Sequence, residues 1–163
     1  MAELDKLAIR GVRSFGPRDV NIIQFFKPLT VIVGHNGSGK TTIVECLKYA
    51  ATGDLPPHTK GGGFLHDPNM AGTDTVKAQV RLRFRNTHGV RMNCVRNLQV
   101  SKKKGGGLSM KTLEGVLGID DDEAEPHARN SISTRCAELD TEMASLLGVP
   151  RAILEHVLFC HQE

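Results

Sequence analysis

Twelve residues at positions 31–42, VIVGHNGSGKTT, carry the clearest chemical pattern in the sequence. Gly34, Gly39, Lys40 and Thr41 fill the fixed positions of G-x-x-x-x-G-K-S/T, the phosphate-binding P-loop motif. Glycines let backbone N–H groups converge on phosphate oxygens, and the helix that follows adds its positive end. We therefore predict that Lys40 bridges the β- and γ-phosphates of a nucleoside triphosphate and that the Thr41 hydroxyl coordinates Mg²⁺. A plain glycine turn would not require a lysine followed by a threonine.

The base and the second acidic group are less evident from the sequence. Guanine-specific proteins carry an Asn-Lys-x-Asp element, and its absence from the sequence favours ATP. A hydrolase also needs an aspartate at the end of a second buried strand to support the Mg²⁺ shell. Asp120, at the end of GVLGID, is the nearest candidate, but Gly118 interrupts the apolar run and the acidic residues that follow indicate a solvated loop over 118–131. The sequence thus predicts half of a hydrolytic site.

A strand must precede the P-loop and a helix must follow it. Leu29–Val33 is short, β-branched and apolar on both faces, which predicts an interior strand of a sheet that is covered on two sides. After the loop, apolar residues recur at helical spacing until Gly53: Ile43, Val44, Leu47, Ala50 and Ala51. Residues 27–53 are therefore predicted to form a strand, the P-loop and a helix.

The rest of the chain predicts an antiparallel sheet and further helices. Alternation around Leu7 and Ile9 predicts one strand, and the apolar run 21–26 predicts a second. Residues 75–101 alternate cleanly and predict an antiparallel hairpin with one basic, solvated face. KKKGGG at 102–107 predicts a mobile loop tip, and 133–163 predicts two helices with apolar faces: Leu139, Met143, Leu146 and Leu147 on the first, and Ile153, Leu154, Val157 and Leu158 on the second. The fold class is α/β.

Composition excludes several classes of protein. With 163 residues, 39% of them hydrophobic and 24% charged, the chain reads as a soluble globular domain. No apolar run reaches the roughly 20 residues of a membrane span, and residues 1–10 lack the apolar block of a signal peptide, which predicts an intracellular protein without a membrane partner. The cysteines are scattered without a Cys-x-x-Cys pair, so we expect reduced thiols and neither disulfides nor structural zinc: Cys46, Cys94, Cys136 and Cys160. His156, Cys160 and His161 offer too few donors for a metal site.

Five further segments resemble one family. They are GVRSFG at 11–16, PLTVIVGHNGSGKTTIVECLKY at 28–49, TGDLPP at 52–57, TKGGGFLHDP at 59–68 and VLFCHQE at 157–163. Together they resemble the eukaryotic RAD fifty family, the SMC-like, ABC-type ATPases of the complex that senses and processes DNA double-strand breaks. The resemblance follows the chain in order over essentially its whole length.

The resemblance implies roles for individual residues. It implies ATP contacts by the P-loop and by three residues outside it: Asn36, Gly37, Ser38, Gly39, Lys40, Thr41, Thr42, Arg13, Leu65 and Asp67. Gln162 matches the Q-loop glutamine, which would join Thr41 at Mg²⁺ and act with Lys40 in catalysis. Without the resemblance, Arg13 could equally form a surface ion pair, and Gln162 would be an ordinary solvated residue.

The resemblance also implies a second half of the protein. Residues 1–163 match the N-terminal half of an ABC-type ATPase head, which is incomplete without a returning C-terminal segment that carries the signature sequence, the second acidic strand and the catalytic glutamate. In this family a coiled coil with a zinc-binding apex joins the two halves, so Zn²⁺ is expected only in that segment. ATP binding would drive dimerisation with a second copy, and hydrolysis would reverse it.

Further partners follow from the same resemblance. They are an Mre-eleven type nuclease with its regulatory third subunit and double-stranded DNA, in the nucleus and on chromosomes, including at telomeres and in meiosis. A basic surface could contact DNA phosphates: Lys77 to Arg85, Arg91, Arg96, Lys102, Lys103 and Lys104. With one tyrosine and no tryptophan, binding would be directed at the backbone and would depend on salt. A merely solvated strand face is the alternative reading.

Two other functions share the P-loop. A stand-alone kinase would phosphorylate an acceptor as an isolated chain and would carry an arginine-rich lid, whereas residues 54–74 contain no arginine. A cohesin-like structural chromosome ATPase head would differ in the TKGGGFLHDP segment and in its partners. ATP turnover with and without the C-terminal half separates the half-site reading from a self-sufficient kinase.

Overall fold

The computed structural model describes residues 1–59, 61–120, 131–133 and 136–159. Gln162, Cys160 and His161 lie outside the described residues, as does most of the acidic segment that follows Asp120.

Seven strands form a single sheet in the described part of the chain. In chain order they are β1 (Glu3–Arg10), β2 (Asn21–Gln24), β3 (Thr75–Arg85), β4 (Arg91–Lys102), β5 (Leu108–Thr112), β6 (Val116–Ile119) and β7 (Ser131–Ser133). Their order across the sheet is β2-β1-β3-β4-β6-β7, with β5 also paired to β4. Every pairing between these described strands is antiparallel.

The centre of the sheet is the β3–β4 hairpin, as the alternation predicted. Its register runs from Thr75 opposite Ser101 to Arg85 opposite Arg91. Five apolar residues of β3 are buried on one face, and the basic residues between them lie on the other: Val76, Ala78, Val80, Leu82 and Phe84 against Lys77, Arg81 and Arg85. The turn is closed by the Asn86 carboxamide oxygen, which accepts hydrogen bonds from the N–H groups of His88 and Val90 at 2.9 and 3.0 Å.

Two longer helices cover the buried face of the sheet. They are α1 (Lys40–Thr52) and α3 (Cys136–Leu147), and both contribute to the core: Cys46, Tyr49 and Ala50 from α1, and Leu139, Met143 and Leu147 from α3. Gly53 ends α1 in the left-handed region at φ 80°, with its N–H donating to the Tyr49 carbonyl. Shorter pieces are α2 (Pro68–Ala71), α4 (Arg151–Ile153) and a π-helical turn (Leu154–Leu158). No described helix has the length and apolarity to cross a bilayer.

The strand predicted before the P-loop does not form among the described residues. Leu29, Val31 and Val33 are 73, 70 and 87% exposed, and their segment pairs with none of the seven described strands. A strand that is apolar on both faces needs neighbours on both edges and cover on both sides. The prediction of a buried strand over 29–33 is therefore wrong for the described residues, because the described sheet gives this segment no neighbour to pair with. The second predicted strand, 21–26, ends two residues early at Gln24.

Further predictions about the sheet are refined. The predicted loop tip at 102–107 is the turn of a second hairpin, because Lys103 N–H donates to the Gly107 carbonyl and β5 pairs with β4, of which Lys102 is the last residue. The first two residues of the loop predicted at 118–131 are strand, since Gly118 and Ile119 belong to β6. Asp120 is not solvated either: its carboxylate lies 2.5 Å from Nε of Arg83 and is mostly buried.

Arg96 is not on the basic face. It is 4% exposed and lies on the same side of β4 as Met92, Cys94 and Leu98. Its Nε donates to the Ala50 carbonyl at 3.0 Å and its Nη1 lies 2.7 Å from Oδ1 of Asp140. Strand parity determined its side. The Asp140 carboxylate on α3 and the Ala50 carbonyl near the end of α1 offset part of the cost of its burial, whereas Nη2 has no hydrogen-bond partner in the described part of the chain.

The predicted apolar face of the last helix is also only partly buried. Leu154 is buried, whereas Ile153 and Leu158 are exposed. Of the described strands and helices, only α1 and α4 contact the π-helical turn extensively, so Leu158 has no described element to pack against.

Candidate nucleotide-binding site

The glycine loop enters α1 through two left-handed residues. Gly37 and Gly39 have φ values of 83° and 96°, which L side chains rarely adopt. A Cβ on Gly39 would also lie 3.1 Å from the Phe15 ring, and one on Gly34 would lie 2.5 Å from Oγ of Ser38. The Ser38 N–H donates to the His35 carbonyl and tightens the turn. The loop therefore has the close backbone geometry that a phosphate cradle requires, and a larger residue would fill it.

The P-loop lysine is directed at the loop itself. Nζ of Lys40 donates to the carbonyls of Gly34 and His35, the latter at 2.9 Å. Lys40 is also the first residue of α1, where the first N–H groups of a helix have no intrahelical partner. Thr41 is exposed beside it, so its hydroxyl is accessible to a metal-bound phosphate, whereas the Thr42 side chain is buried. The Lys40 ammonium group thus lies on the loop, and the exposed Thr41 follows it in the first turn of α1.

Arg13 lies in a turn that packs against this loop. Its φ of 45° is left-handed, and its N–H donates to the Phe64 carbonyl at 3.2 Å. The Arg13 carbonyl can only accept, so it receives the Nδ1–H of His66. Its guanidinium contacts Glu45 of α1 at two points, with Nη1 at 2.6 Å from Oε2 and Nη2 donating to Oε1 at 3.2 Å. The structure thus brings Arg13 to the side of the P-loop helix.

Leu65 and Asp67 belong to a segment that lies beside the Arg13 turn. Leu65 forms a bridge with Val12 and its side chain is buried. Asp67 is exposed, and its carboxylate accepts the Asn69 N–H at 2.8 Å as the N-cap of α2. The structure places Leu65 beside the Arg13 turn and gives Asp67 a local capping role. Their contacts with ATP stay predictions, as does the role of Gln162, which lies outside the described residues.

Glu45 and His66 are the site residues that the sequence did not reveal. Glu45 has no motif, and a lone glutamate on a helix is normally a solvated residue. His66 also belongs to no motif, yet its side chain is buried and its Nδ1 binds the Arg13 carbonyl. No pattern along the chain connects either residue to Arg13, because the contacts cross 32 and 53 positions.

The thiol next to Glu45 cannot act as a nucleophile at neutral pH. Burial raises the pKa of Cys46 to about 12, the Glu45 carboxylate adds to the increase, and Arg13 opposes it. The thiol therefore stays protonated. Cys46 serves the core beneath the site.

The basic surface lies on the other face of the sheet from α1. Lys77, Arg81 and Arg85 are exposed there. Lys103 and Lys104 are exposed at the β4–β5 turn, and Nζ of Lys102 lies 3.9 Å from the exposed carboxylate of Asp74. The structure separates this surface from the P-loop face.

Comparisons with known proteins identify the family of the chain. A family model described as an AAA domain matches residues 6–163. The chain is 56% identical over 163 residues to DNA repair protein rad50 of Schizosaccharomyces pombe and 52% identical over 163 residues to DNA repair protein RAD50 of Saccharomyces cerevisiae. Each alignment covers 100% of this chain and 12% of the relative, so the chain spans about an eighth of these proteins.

A more distant relative shares part of the sequence. The chromosome partition protein Smc of Halothermothrix orenii is 38% identical over 76 residues, which cover 46% of this chain and 6% of that protein. The resemblance drawn from the motifs is confirmed: the chain belongs to the AAA domain family, and over its whole length it is similar to the N-terminal segment of eukaryotic RAD50 proteins.

Proposed function

We propose that this chain is the N-terminal ATP-binding segment of an SMC-like, ABC-type ATPase that hydrolyses ATP to ADP and phosphate during DNA double-strand-break repair. One observation carries the proposal: Gly37 and Gly39 shape a loop that closes on Lys40 at the N-terminus of α1, in a chain similar over its full length to RAD50. The close approach of the Arg13 turn supports the loop from one side, because a Cβ at Gly39 would lie 3.1 Å from the Phe15 ring.

The proposed roles follow from position. The N–H groups of residues 36–39 and of the first turn of α1 would hold the β- and γ-phosphates, with Lys40 between them. Thr41 and Gln162 would hold Mg²⁺, which neutralises charge on the triphosphate. Arg13, Leu65 and Asp67 would line the nucleotide from the neighbouring segments.

A partner segment has to complete the site. Hydrolysis in P-loop ATPases needs an acidic strand end near Mg²⁺. Asp120 ends a described strand, but its carboxylate is committed to Arg83. We therefore assign the second acid to a returning C-terminal head segment, and the other wall of the ATP site to a second copy. ATP binding would then favour dimerised heads and hydrolysis would release them.

The test is ATP turnover. In the full-length protein, Lys40→Ala should abolish turnover and ATP binding, whereas Lys111→Ala, an exposed lysine on β5, should change neither. Residues 1–163 alone should hydrolyse ATP negligibly and should gain activity when the C-terminal head segment is added. Robust turnover by residues 1–163 alone would contradict the proposal and favour a self-sufficient P-loop enzyme.

DNA is the second proposed ligand. The exposed basic face of β3 and the β4–β5 turn support backbone-directed contacts with duplex DNA, with Lys102, Lys103 and Lys104 as candidates. Replacing these three with alanine should make the dependence of DNA affinity on salt shallower. An unchanged slope would remove them from the contact surface. The Mre-eleven type nuclease, its third subunit, and action on nuclear chromosomes and telomeres and in meiosis belong to the same proposal and rest on the similarity to RAD50.

A further inference from the structure

The turn that carries Arg13 touches the last glycine of the phosphate loop. A Cβ built on Gly39 would meet the Phe15 ring at 3.1 Å and the Ser14 hydroxyl at 3.7 Å. The residues that follow Arg13 therefore form one side of the loop. A small displacement of this turn would alter the space next to the phosphates.

Glu45 controls the direction of the Arg13 side chain. The two-point contact joins both terminal nitrogens of the guanidinium to both carboxylate oxygens, at 2.6 and 3.2 Å. The hydrogen bond from Nη2 to Oε1 and the ion-pair contact of Nη1 with Oε2 together hold the guanidinium against α1. The Phe64 ring lies beneath, 6.0 Å from Cζ of Arg13.

The pair is sheltered on one side and open on the other. The Glu45 side chain is 11% exposed, whereas the Arg13 side chain is 33% exposed. A guanidinium has five N–H donors, so the contact with Glu45 leaves donors on the accessible side. A carboxylate alone beside a triphosphate would repel it, and the arginine cancels that charge while it presents its own donors outward.

The backbone of Arg13 is held in a conformation that it would not adopt by itself. Its φ of 45° lies in the left-handed region, although Arg13 is not a glycine. Non-glycine residues keep this conformation only where the surrounding structure holds them in it. Phe64 and His66 supply that restraint through hydrogen bonds to the N–H and carbonyl of Arg13. Both the main chain and the side chain of Arg13 are therefore preset before a ligand arrives.

We infer that Glu45 is a positioning residue for ATP: it holds the Arg13 guanidinium against the P-loop helix α1 so that the arginine binds nucleotide without being reordered. Glu45 does not touch the nucleotide and acts only through Arg13. This role rests on the proposed function of the P-loop. Because ordering a long side chain on binding costs affinity, a preset arginine strengthens ATP binding.

A double-mutant cycle in the full-length protein tests the inference. The dissociation constant of Mg-ATP is measured with a fluorescent ATP analogue for Arg13→Ala, Glu45→Ala and the double variant, together with kcat at saturating ATP. Glu45→Ala should weaken binding about tenfold in the presence of Arg13 and less than about twofold in its absence. The kcat of Glu45→Ala at saturating ATP should stay within about twofold of the value for the parent protein. Glu45→Asp should bind ATP more tightly than Glu45→Ala and less tightly than the parent.

Controls separate this role from a structural one. Val44→Ala, at an exposed neighbour on α1, should leave both affinity and thermal midpoint unchanged. Glu45→Gln keeps the size of the side chain and serves if the alanine variant unfolds. Equal losses from Glu45→Ala with and without Arg13, or no loss at all while Lys40→Ala abolishes binding, would overturn the inference. Undiminished ATP binding by Lys40→Ala would overturn the proposed function with it.

Discussion

At the scale of single residues, burial decides which reactive groups can react. Cys46 and Cys94 are both in the core, and desolvation raises their pKa values to about 12 and about 11. A raised pKa means that the thiolate forms only at high pH, so the fraction of thiolate at neutral pH falls. The sequence predicted reduced core thiols here, and Cys46 and Cys94 are buried free thiols.

Alkylation should therefore spare these two residues. In native protein at pH 8, iodoacetamide should modify Cys46 and Cys94 at least about a hundredfold more slowly than in urea, because both access and ionisation are reduced. Mass spectrometry of the alkylated peptides measures this, and the rates should rise as the pH approaches 11. Equal rates in buffer and in urea would contradict the burial of both thiols.

Local chemistry was predictable where a motif defines it. Gly34, Gly39, Lys40 and Thr41 identified the loop because the phosphate cradle requires those residue types at that spacing. Glu45 was not predictable, since its importance arises from a contact with Arg13 across 32 positions. Arg96 could have been placed by parity alone, because it shares the period of Met92 and Cys94, but its charge suggested the solvated face.

At the scale of elements, one buried ion pair joins three of them. Arg96 of β4 reaches the Ala50 carbonyl near the end of α1 and the Asp140 carboxylate on α3, and its guanidinium lies 5.5 Å from the centre of the Tyr49 ring. Gly53 makes room for this arrangement, since a Cβ there would lie 2.3 Å from Oδ1 of Asp140. The end of α1 is thereby fixed to α3.

Removing one partner of this pair should be costly. Asp140→Ala leaves the Arg96 charge buried without its carboxylate and should lower the free energy of unfolding by about 3 kcal/mol. Glu142→Ala, at an exposed position of the same helix, should change it by less than about 0.5 kcal/mol. Urea titration of both variants measures the difference. A combined Arg96→Met and Asp140→Leu variant should regain most of the lost free energy of unfolding. Equal stability of Asp140→Ala and Glu142→Ala would contradict the prediction.

Elements with strong periodicity were predictable and the others were not. The β3–β4 hairpin followed from strict alternation over more than twenty residues. Strand β5 was missed because the three glycines before it suggested mobility and its five residues are too short to show a period. The turn of lysines and glycines closes a hairpin because β5 pairs with β4, and this pairing is a tertiary contact that the local sequence does not show.

At the scale of the whole molecule, one apolar strip lies outside the core. Ile22, Phe26, Leu29, Val31 and Val33 are all more than half exposed and follow one another along the chain before the P-loop. Their composition is that of a covered strand. The fold class predicted from the sequence, α/β with a strand entering the loop, is thus realised in the described residues only as an antiparallel sheet with helices on one face.

Amide exchange distinguishes an exposed segment from a paired one. In residues 1–163 alone, the amides of 29–33 should exchange with solvent within seconds, because the described sheet gives them no partner. In the full-length protein they should exchange at least about a hundredfold more slowly, as the middle strand of a completed sheet. The amides of Leu7 and Ile9, buried in β1, should be slow in both and serve as the control. Fast exchange of 29–33 in both proteins would contradict the proposed completion.

The contact of Lys40 with the carbonyls of Gly34 and His35 has a further consequence for timing. A triphosphate that enters the loop must take the ammonium group from two acceptors that already bind it, so the net gain is smaller than the lysine–phosphate attraction alone. When the phosphate leaves, the same two carbonyls can again accept hydrogen bonds from the Lys40 ammonium group. The ammonium group is then not left unpaired, so product release costs less. Under the proposed function, Lys40 therefore has hydrogen-bond acceptors both before the nucleotide binds and after the product leaves.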